Sequence, residues 1–328
     1  APMGGGPSTP ELVAAAAEAG ALGSLAAGYK TAEAMQAEIE AVRALTSEAF
    51  AVNVFVPGRP AGDQDAVRAY VRSLQTEARG LGVELADPAW DDDDWDRKLE
   101  VLLAVAPPIV SFTFGCPDRG VISALSERGC GVAVTVTTPD EASTSIQRGA
   151  NYLCAQGFEA GGHRGSFADD DRPGQDHGIL ALVTELADMT DLPVIGTGGV
   201  AGPRGVAALL TAGATAVQMG TAFLRCPESG ASSVYKDALV DRRYSTTAIT
   251  RAFSGRRARG LLNRFMVDHA GAPSAYPEIN SATRPLRAAA AASGDSGRMS
   301  LWAGQRFRAA SDRPVGDVIE ILSRGLPT

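Results

Sequence analysis

Lysine is nearly missing from this chain: Lys30, Lys98 and Lys236 are the only three among 328 residues, so chemistry resting on a lysine has three candidates. Arginine carries almost all the basic charge. Cysteine is scarce too. Cys116, Cys130, Cys154 and Cys226 stand far apart with no CxxC spacing, which excludes a disulfide frame or a zinc site and reads as buried thiols of a reducing cytoplasm. Positive charge is outweighed, 30 basic against 38 acidic residues, for a net −8 and a pI near 5.0. A general nucleic-acid binder needs a basic surface and is disfavoured. Uncharged stretches are short of membrane quality. Gly205–Leu224 runs twenty residues without a charge, but Gly213 and Gly220 punctuate it and Thr211, Thr215, Gln218 and Thr221 dilute it. It reads as a helix, a turn and a strand, not a membrane span. No signal peptide is visible, and no GxGxxG fingerprint opens a helix after a strand, which argues against a dinucleotide cofactor.

What remains is ordinary globular material, 45% apolar and 21% charged, enough for a large core. Short apolar runs alternate with helical patterns. Ala1-Pro2-Met3-Gly4 reads as the clipped end of a buried strand entering a loop. Ser8-Thr9-Pro10-Glu11 is a helix entrance with hydroxyl caps, an early proline and a glutamate able to complete a capping box. Strands follow at 21–25, 51–56, 109–114, 131–137, 152–155, 193–196 and 214–218. Helices fall at 31–45, 63–79, 118–128, 139–148, 179–187 and 203–211 between them. With the clipped first strand this makes eight α/β units, the signature of a (β/α)₈ TIM barrel; a doubly wound sheet is the competitor. Residues 1–226 are the expected barrel. Residues 227–310, longer than any barrel connection, read as a smaller, mainly helical domain or lid inserted after the eighth strand, and 311–328 as a helix returning to the barrel. Asp91–Asp94, between Trp90 and Trp95, read as a solvated loop rather than a metal site.

A barrel works at the C-terminal ends of its strands. Those positions carry Met3-Gly4-Gly5-Gly6, Asn53, Phe114-Gly115, Thr135, Gln156-Gly157, Gly198-Gly199 and Gln218-Met219-Gly220-Thr221. Glycine lets backbone N–H groups approach an anion, and the loops after strands seven and eight are the usual phosphate site. A phosphate held by amides needs no lysine. The sixth strand runs into Gln156-Gly157-Phe158-Glu159-Ala160-Gly161-Gly162-His163-Arg164-Gly165, which puts an imidazole over the barrel mouth as a base, hydrogen-bond donor or electrostatic partner. His177 and His269 have no such context.

These pieces resemble the nitronate monooxygenases, formerly called 2-nitropropane dioxygenases. APMGGG at 1–6, LGSLAAGY at 22–29, Asn53-Val54-Phe55, FTFG at 112–115, QGFEAGGHRG at 156–165, GTGGV at 196–200 and QMGT at 218–221 span nearly the whole chain in the family's order. The resemblance implies an FMN-dependent barrel oxidising alkyl nitronates, propionate 3-nitronate among them, with O2 to carbonyl compounds and nitrite. It implies FMN contacts at Asn53, Gln156, Gly161, Gly199 and Gln218 to Thr221, with His163 as the active-site histidine holding the anionic nitro group. Met3, Gly4, Gly5, Thr135 and Gly198 join the cofactor-binding set from their rim positions, and no metal is expected. The arginine-rich run 253–265, with Arg256 and Arg257, would attract an anionic substrate or form surface salt bridges. Tyr276, Trp302 and Gln305 also sit in segments like the family's. A flavin-type enoyl-acyl-carrier-protein reductase is the alternative; those proteins share the GGH loop but typically show isoleucine where this chain has Arg164.

Overall fold

The computed structural model describes residues 1–327. Its strands, in chain order, are β1 (Gly23–Ala26), β2 (Phe50–Phe55), β3 (Ile109–Thr113), β4 (Gly131–Val136), β5 (Tyr152–Gln156), β6 (Gly162–His163), β7 (Val194–Thr197), β8 (Ala216–Gln218), β9 (Thr247–Thr250) and β10 (Ala258–Leu261). One curled sheet takes them in the order β1-β2-β3-β4-β5-β7-β8, every neighbour parallel. Helices alternate with these strands, which makes a TIM-barrel-like α/β fold. The sheet has seven strands where eight were expected. Residues 1–3 form no strand; instead the Ala1 amino group donates to the Met219 carbonyl at 2.8 Å, laying the start of the chain beside the end of β8.

Local chemistry explains the elements. β2 and β4 are almost wholly buried runs of Val, Ala, Phe and Thr, as parallel strands covered on both faces require. Thr9 caps the helix Pro10–Glu18 by accepting from Leu12 N–H at 3.1 Å. The expected capping box does not close: the helix begins after Thr9, so Glu11 falls one position early, while Ser8 accepts from Met3 N–H. Thr31 and Thr138 cap the helices Ala32–Leu45 and Pro139–Arg148 in the same way, and Gly149, at φ +96°, ends the second.

Two expectations need correction. The predicted helix 63–79 is broken at Leu74 into Gln64–Ser73 and Gln75–Gly80, and Val67, Leu74 and Ala78 pack not on the barrel but with Phe253, Phe265, Ile279 and Leu286 in a second core. The 227–310 region, read as mainly helical, carries three helices but also β9 and β10, which form an antiparallel sheet in the order β6-β10-β9. Its third member is the strand that carries His163, paired Ala258 to His163 and Arg259 to Gly162. The smaller sheet therefore grips the catalytic-face loop of the larger one.

The acidic loop is not simply solvated. Asp94 accepts from Ala32 N–H at 2.8 Å and so caps the helix Ala32–Leu45. Asp93 accepts from Tyr29 N–H at 2.7 Å and pairs at 2.7 Å with Lys98, whose side chain is 1% exposed. Burial pushes the Asp93 carboxyl up to about 6, against the pull of Lys98. The stretch 205–224 divides into the helix Pro203–Thr211, a turn at Gly213 and β8, and no helix among the described residues is long and apolar enough to cross a membrane. The helix Val315–Ser323 returns to the barrel, packing Val315, Val318 and Leu322 against Leu12 and Val206.

Candidate active site

A cavity of about 840 Å³ opens at the C-terminal ends of the strands. Its wall includes Met3, Gly4 and Gly5 from the chain start, Asn53 from β2, Thr135 from β4, and Gln156 from β5. Gly161 and His163 line it from the following loop, Gly198 and Gly199 after β7, and Gln218, Met219, Gly220 and Thr221 at β8. One space thus gathers every rim residue singled out as cofactor-binding or catalytic.

The loops after β7 and β8 leave backbone amides free. No protein acceptor takes the N–H groups of Gly198, Gly199 or Gly220 among the described residues. Gly198 and Gly199 line the cavity and hold φ of +117° and +66°, a conformation that disfavours a side chain. A Cβ on Gly199 would come within 2.6 Å of Glu159 Cβ, so this glycine is demanded by packing against Glu159. Gly161 is demanded likewise by the backbone of Ala303 and Gly304 passing against it. Asn53 donates its amide hydrogens to Ser111 Oγ at 2.9 Å and Thr113 Oγ1 at 3.0 Å, which leaves its carbonyl oxygen with no protein donor in the described residues. Gln156 spends both ends of its amide on the loop itself, to His163 O at 3.1 Å and from Gly165 N–H at 2.8 Å.

On the opposite wall, His163 sits among aromatic rings, with centroids of Trp302, Tyr276 and Phe114 at 5.3, 5.7 and 5.9 Å. Its Nε2 lies 2.8 Å from Ser254 Oγ. Burial, reinforced by the Arg256 and Arg287 guanidiniums, lowers the imidazole to about 3, so it is neutral at physiological pH. Phe114 and Tyr29 both hold φ near +70°, a strained conformation for bulky residues that orients them at this wall. Tyr29 Oη and Tyr276 Oη lie 3.3 Å apart, joining the two lobes across the cavity.

The arginine run resolves residue by residue. Arg257 pairs with Asp176 and Arg264 with Glu77 and Asp268, and Arg251, just before the run, pairs with Asp169 and Asp171. These are the salt bridges of the plain reading. Arg259 donates to the Phe158 carbonyl. Arg256 differs: it is buried behind Phe114 and has no carboxylate within 4.0 Å among the described residues, its guanidinium lying 4.1 Å over the Phe114 ring and donating to the carbonyls of Arg164 and Ser166. Arg287, on the helix Glu278–Ala292, likewise lacks a carboxylate and is held by Asn280 Oδ1 at 2.9 Å and Thr283 Oγ1 at 3.2 Å. Arg164 faces away from the cavity and braces the loop through the carbonyls of Gln156 (2.5 Å) and Gln175 (3.1 Å). The Gln305 side chain is exposed, and only its backbone engages, N–H to Glu159 O. Ser254, Arg287 and Tyr29 are the residues that sequence reasoning missed; Ser254 lay inside a run noticed only for its arginines.

A rim cavity of this kind is where TIM-barrel enzymes work, and this chain is an enzyme of that class. More narrowly, it belongs to the nitronate monooxygenase family, whose model matches residues 1–325. It is 36% identical to a probable nitronate monooxygenase of Staphylococcus aureus strain MSSA476, over 96% of this chain and 90% of that one. The nitroalkane oxidase of Streptomyces ansochromogenes superposes with a TM-score of 0.96 at 47% identity, covering 98% of this chain and 93% of that one. FabK of Thermotoga maritima is more distant, with a TM-score of 0.72 at 27% identity over 99% and 91% of the two chains. The chain is therefore an oxidoreductase of nitronate or nitroalkane oxidation.

Proposed function

We propose that this enzyme holds FMN at the barrel mouth and oxidises alkyl nitronates with O2 to carbonyl compounds and nitrite, detoxifying nitro compounds such as propionate 3-nitronate. The observation that carries the reading is one cavity with unpaired glycine amides on one wall and, on the other, His163 flanked by two arginines that lack carboxylate partners. The donor set suits a flavin mononucleotide. Amides of Gly198, Gly199 and Gly220 would take its single phosphate, and the free carbonyl oxygen of Asn53 would take a ring N–H. The redox chemistry, removal of electrons from the nitronate and their delivery to O2, is what bound FMN supplies.

The chain's own part is to bind, orient and dry the substrate. Arg287 lines the wall and Arg256 lies behind Phe114, so both would favour the charge of an entering nitronate. Trp302, Tyr276 and Phe114 exclude water around the reacting carbon. In this reading His163 contacts the nitro group as a neutral hydrogen-bond partner, since burial keeps its imidazole uncharged, and the nearby guanidiniums offset the substrate's charge. A cytoplasmic setting is supported by the four free, buried thiols. Nitrite release and O2 uptake with propionate 3-nitronate test the reading. Turnover of an enoyl thioester with NADPH and none of the nitronate would replace it.

A further inference from the structure

We propose that Ser111 and Thr113 are positioning residues on β3. They fix the Asn53 amide with its carbonyl oxygen toward the cavity, where it reads the one N–H of an oxidised flavin ring. The inference rests on the flavin reading above and adds which edge of the ring the barrel holds and which side chains decide it.

Strand pairing brings the three side chains together. Asn53 stands opposite Ser111 in the β2–β3 register, and Thr113 follows on the same face of β3. Val110 and Phe112, on the other face, are fully buried in the main core. Asn53 Nδ2 lies 2.9 Å from Ser111 Oγ, 3.0 Å from Thr113 Oγ1 and 3.2 Å from the Ser111 carbonyl oxygen. The third contact decides the orientation, because a backbone carbonyl only accepts. A reversed amide would set two carbonyl oxygens against each other in a residue that is 3% exposed, with no bulk water to separate them. Nδ2 therefore faces the strand, and Oδ1 is left on the cavity wall without a protein donor among the described residues. Thr113 keeps its own hydroxyl hydrogen free for Thr135 Oγ1 at 3.3 Å, which ties the group to β4.

The oxidised isoalloxazine carries a single N–H, at N3, between two carbonyl groups; its other ring nitrogens only accept. A bare amide oxygen suits that edge of the ring and no other. An inverted Asn53 would turn two N–H donors toward N3–H and repel it. In the sheet order, β4 and β5 stand between β3 and the strands β7 and β8, whose loops carry the free glycine amides. A flavin whose phosphate takes those amides and whose N3–H takes Asn53 is thus anchored at both ends. Ser111 lies outside the cavity wall and acts only through Asn53, by holding the amide the right way round.

Two measurements read the orientation. In the purified protein carrying ¹⁵N-labelled FMN, the N3–H resonance is expected to be resolved and protected from exchange with water in the wild type. In the double variant Ser111→Ala/Thr113→Val it is expected to move upfield or vanish. The second measurement uses 3-methyl-FMN, which lacks the N–H. Full-length protein freed of flavin is expected to bind FMN about tenfold more tightly than 3-methyl-FMN by fluorescence titration, a preference that falls to about twofold in the double variant. Ser111→Thr/Thr113→Ser, which keeps both hydroxyls, is expected to restore resonance and preference. A general loss of packing weakens both flavins alike and leaves their ratio as it was. An unchanged ratio or an unchanged N3–H resonance in the double variant would therefore overturn the positioning role, and so would equal binding of the two flavins by the wild type. If the double variant does not fold, Ser111→Ala and Thr113→Val are read singly by the same ratio. A wild-type protein that carries no flavin and takes up neither compound would defeat the cofactor reading itself.

Discussion

At the residue scale the pressure on His163 comes from its surroundings. Burial and two neighbouring guanidiniums keep it neutral down to about pH 3 in the folded protein, whereas an unfolded histidine takes a proton near 6.5. Between those values the unfolded state binds more protons, so stability falls as pH is lowered. The wild type is expected to lose up to about 2 kcal/mol between pH 7 and pH 5 through this group, and His163→Asn is expected to lack that component. Urea unfolding of both proteins at the two pH values measures the difference; equal slopes would show that the imidazole is not held neutral. Gly199 offers a second test. At φ +66° with Glu159 2.6 Å from its missing Cβ, Gly199→Val should push the loop away from the cavity and leave the purified protein with little flavin. Full flavin occupancy in that variant, read from the ratio of 450 to 280 nm absorbance, would show that the glycine pair does not hold the phosphate.

At the element scale, the loop before the helix Trp95–Val105 acts as a clamp rather than a solvated bend. Asp93 and Asp94 reach back to Tyr29 and Ala32, so one acidic turn fixes the start of a neighbouring helix and the tyrosine that faces Tyr276. Lys98→Met would strand the Asp93 carboxylate in a buried site, a loss of about 3 kcal/mol at pH 8. Asp93 would then be held further above its unfolded range, the folded state would bind the extra proton as pH falls, and part of the loss should be regained by pH 5.5. Urea midpoints at the two pH values check this; a variant as stable as wild type at pH 8 would mean the pair contributes nothing. The same clamp shows what alternation alone misses. Four consecutive aspartates look solvated by composition, and only the packed loop reveals that two of them point inward.

For the whole molecule, the active cavity depends on two sheets that meet at the loop after β5, whose Gly162–His163 form β6. The barrel-like sheet supplies the glycine rim, and the smaller sheet takes β6 as its edge, so His163 is held by both lobes. The purified protein is expected to be yellow and to release FMN, not FAD, on acid treatment, because the rim offers one amide-lined anion site and no dinucleotide fingerprint. Recovery of FAD by chromatography would contradict that. Without oxygen, an alkyl nitronate should bleach the flavin rapidly and NADPH should not; rapid bleaching by NADPH coupled to enoyl-thioester reduction would favour the reductase alternative.

Sequence periodicity by itself determined the alternating α/β order and the glycine-bearing rim, because each of these is decided by residues within a turn or a strand of one another. It also pointed to His163 at the rim, because the glycine-rich loop that carries it follows directly on β5. Tertiary structure alone decided the rest. His163 and Ser254 meet across 91 positions of chain, and no local pattern encodes which hydroxyl an imidazole will find. Which arginines keep a carboxylate and which are held by uncharged acceptors instead was likewise settled by packing, as was the break at Leu74, where burial against the second core overrode a continuous helical pattern. Charge and pKa follow from neighbours in space, and in this fold the decisive neighbours come from the other lobe.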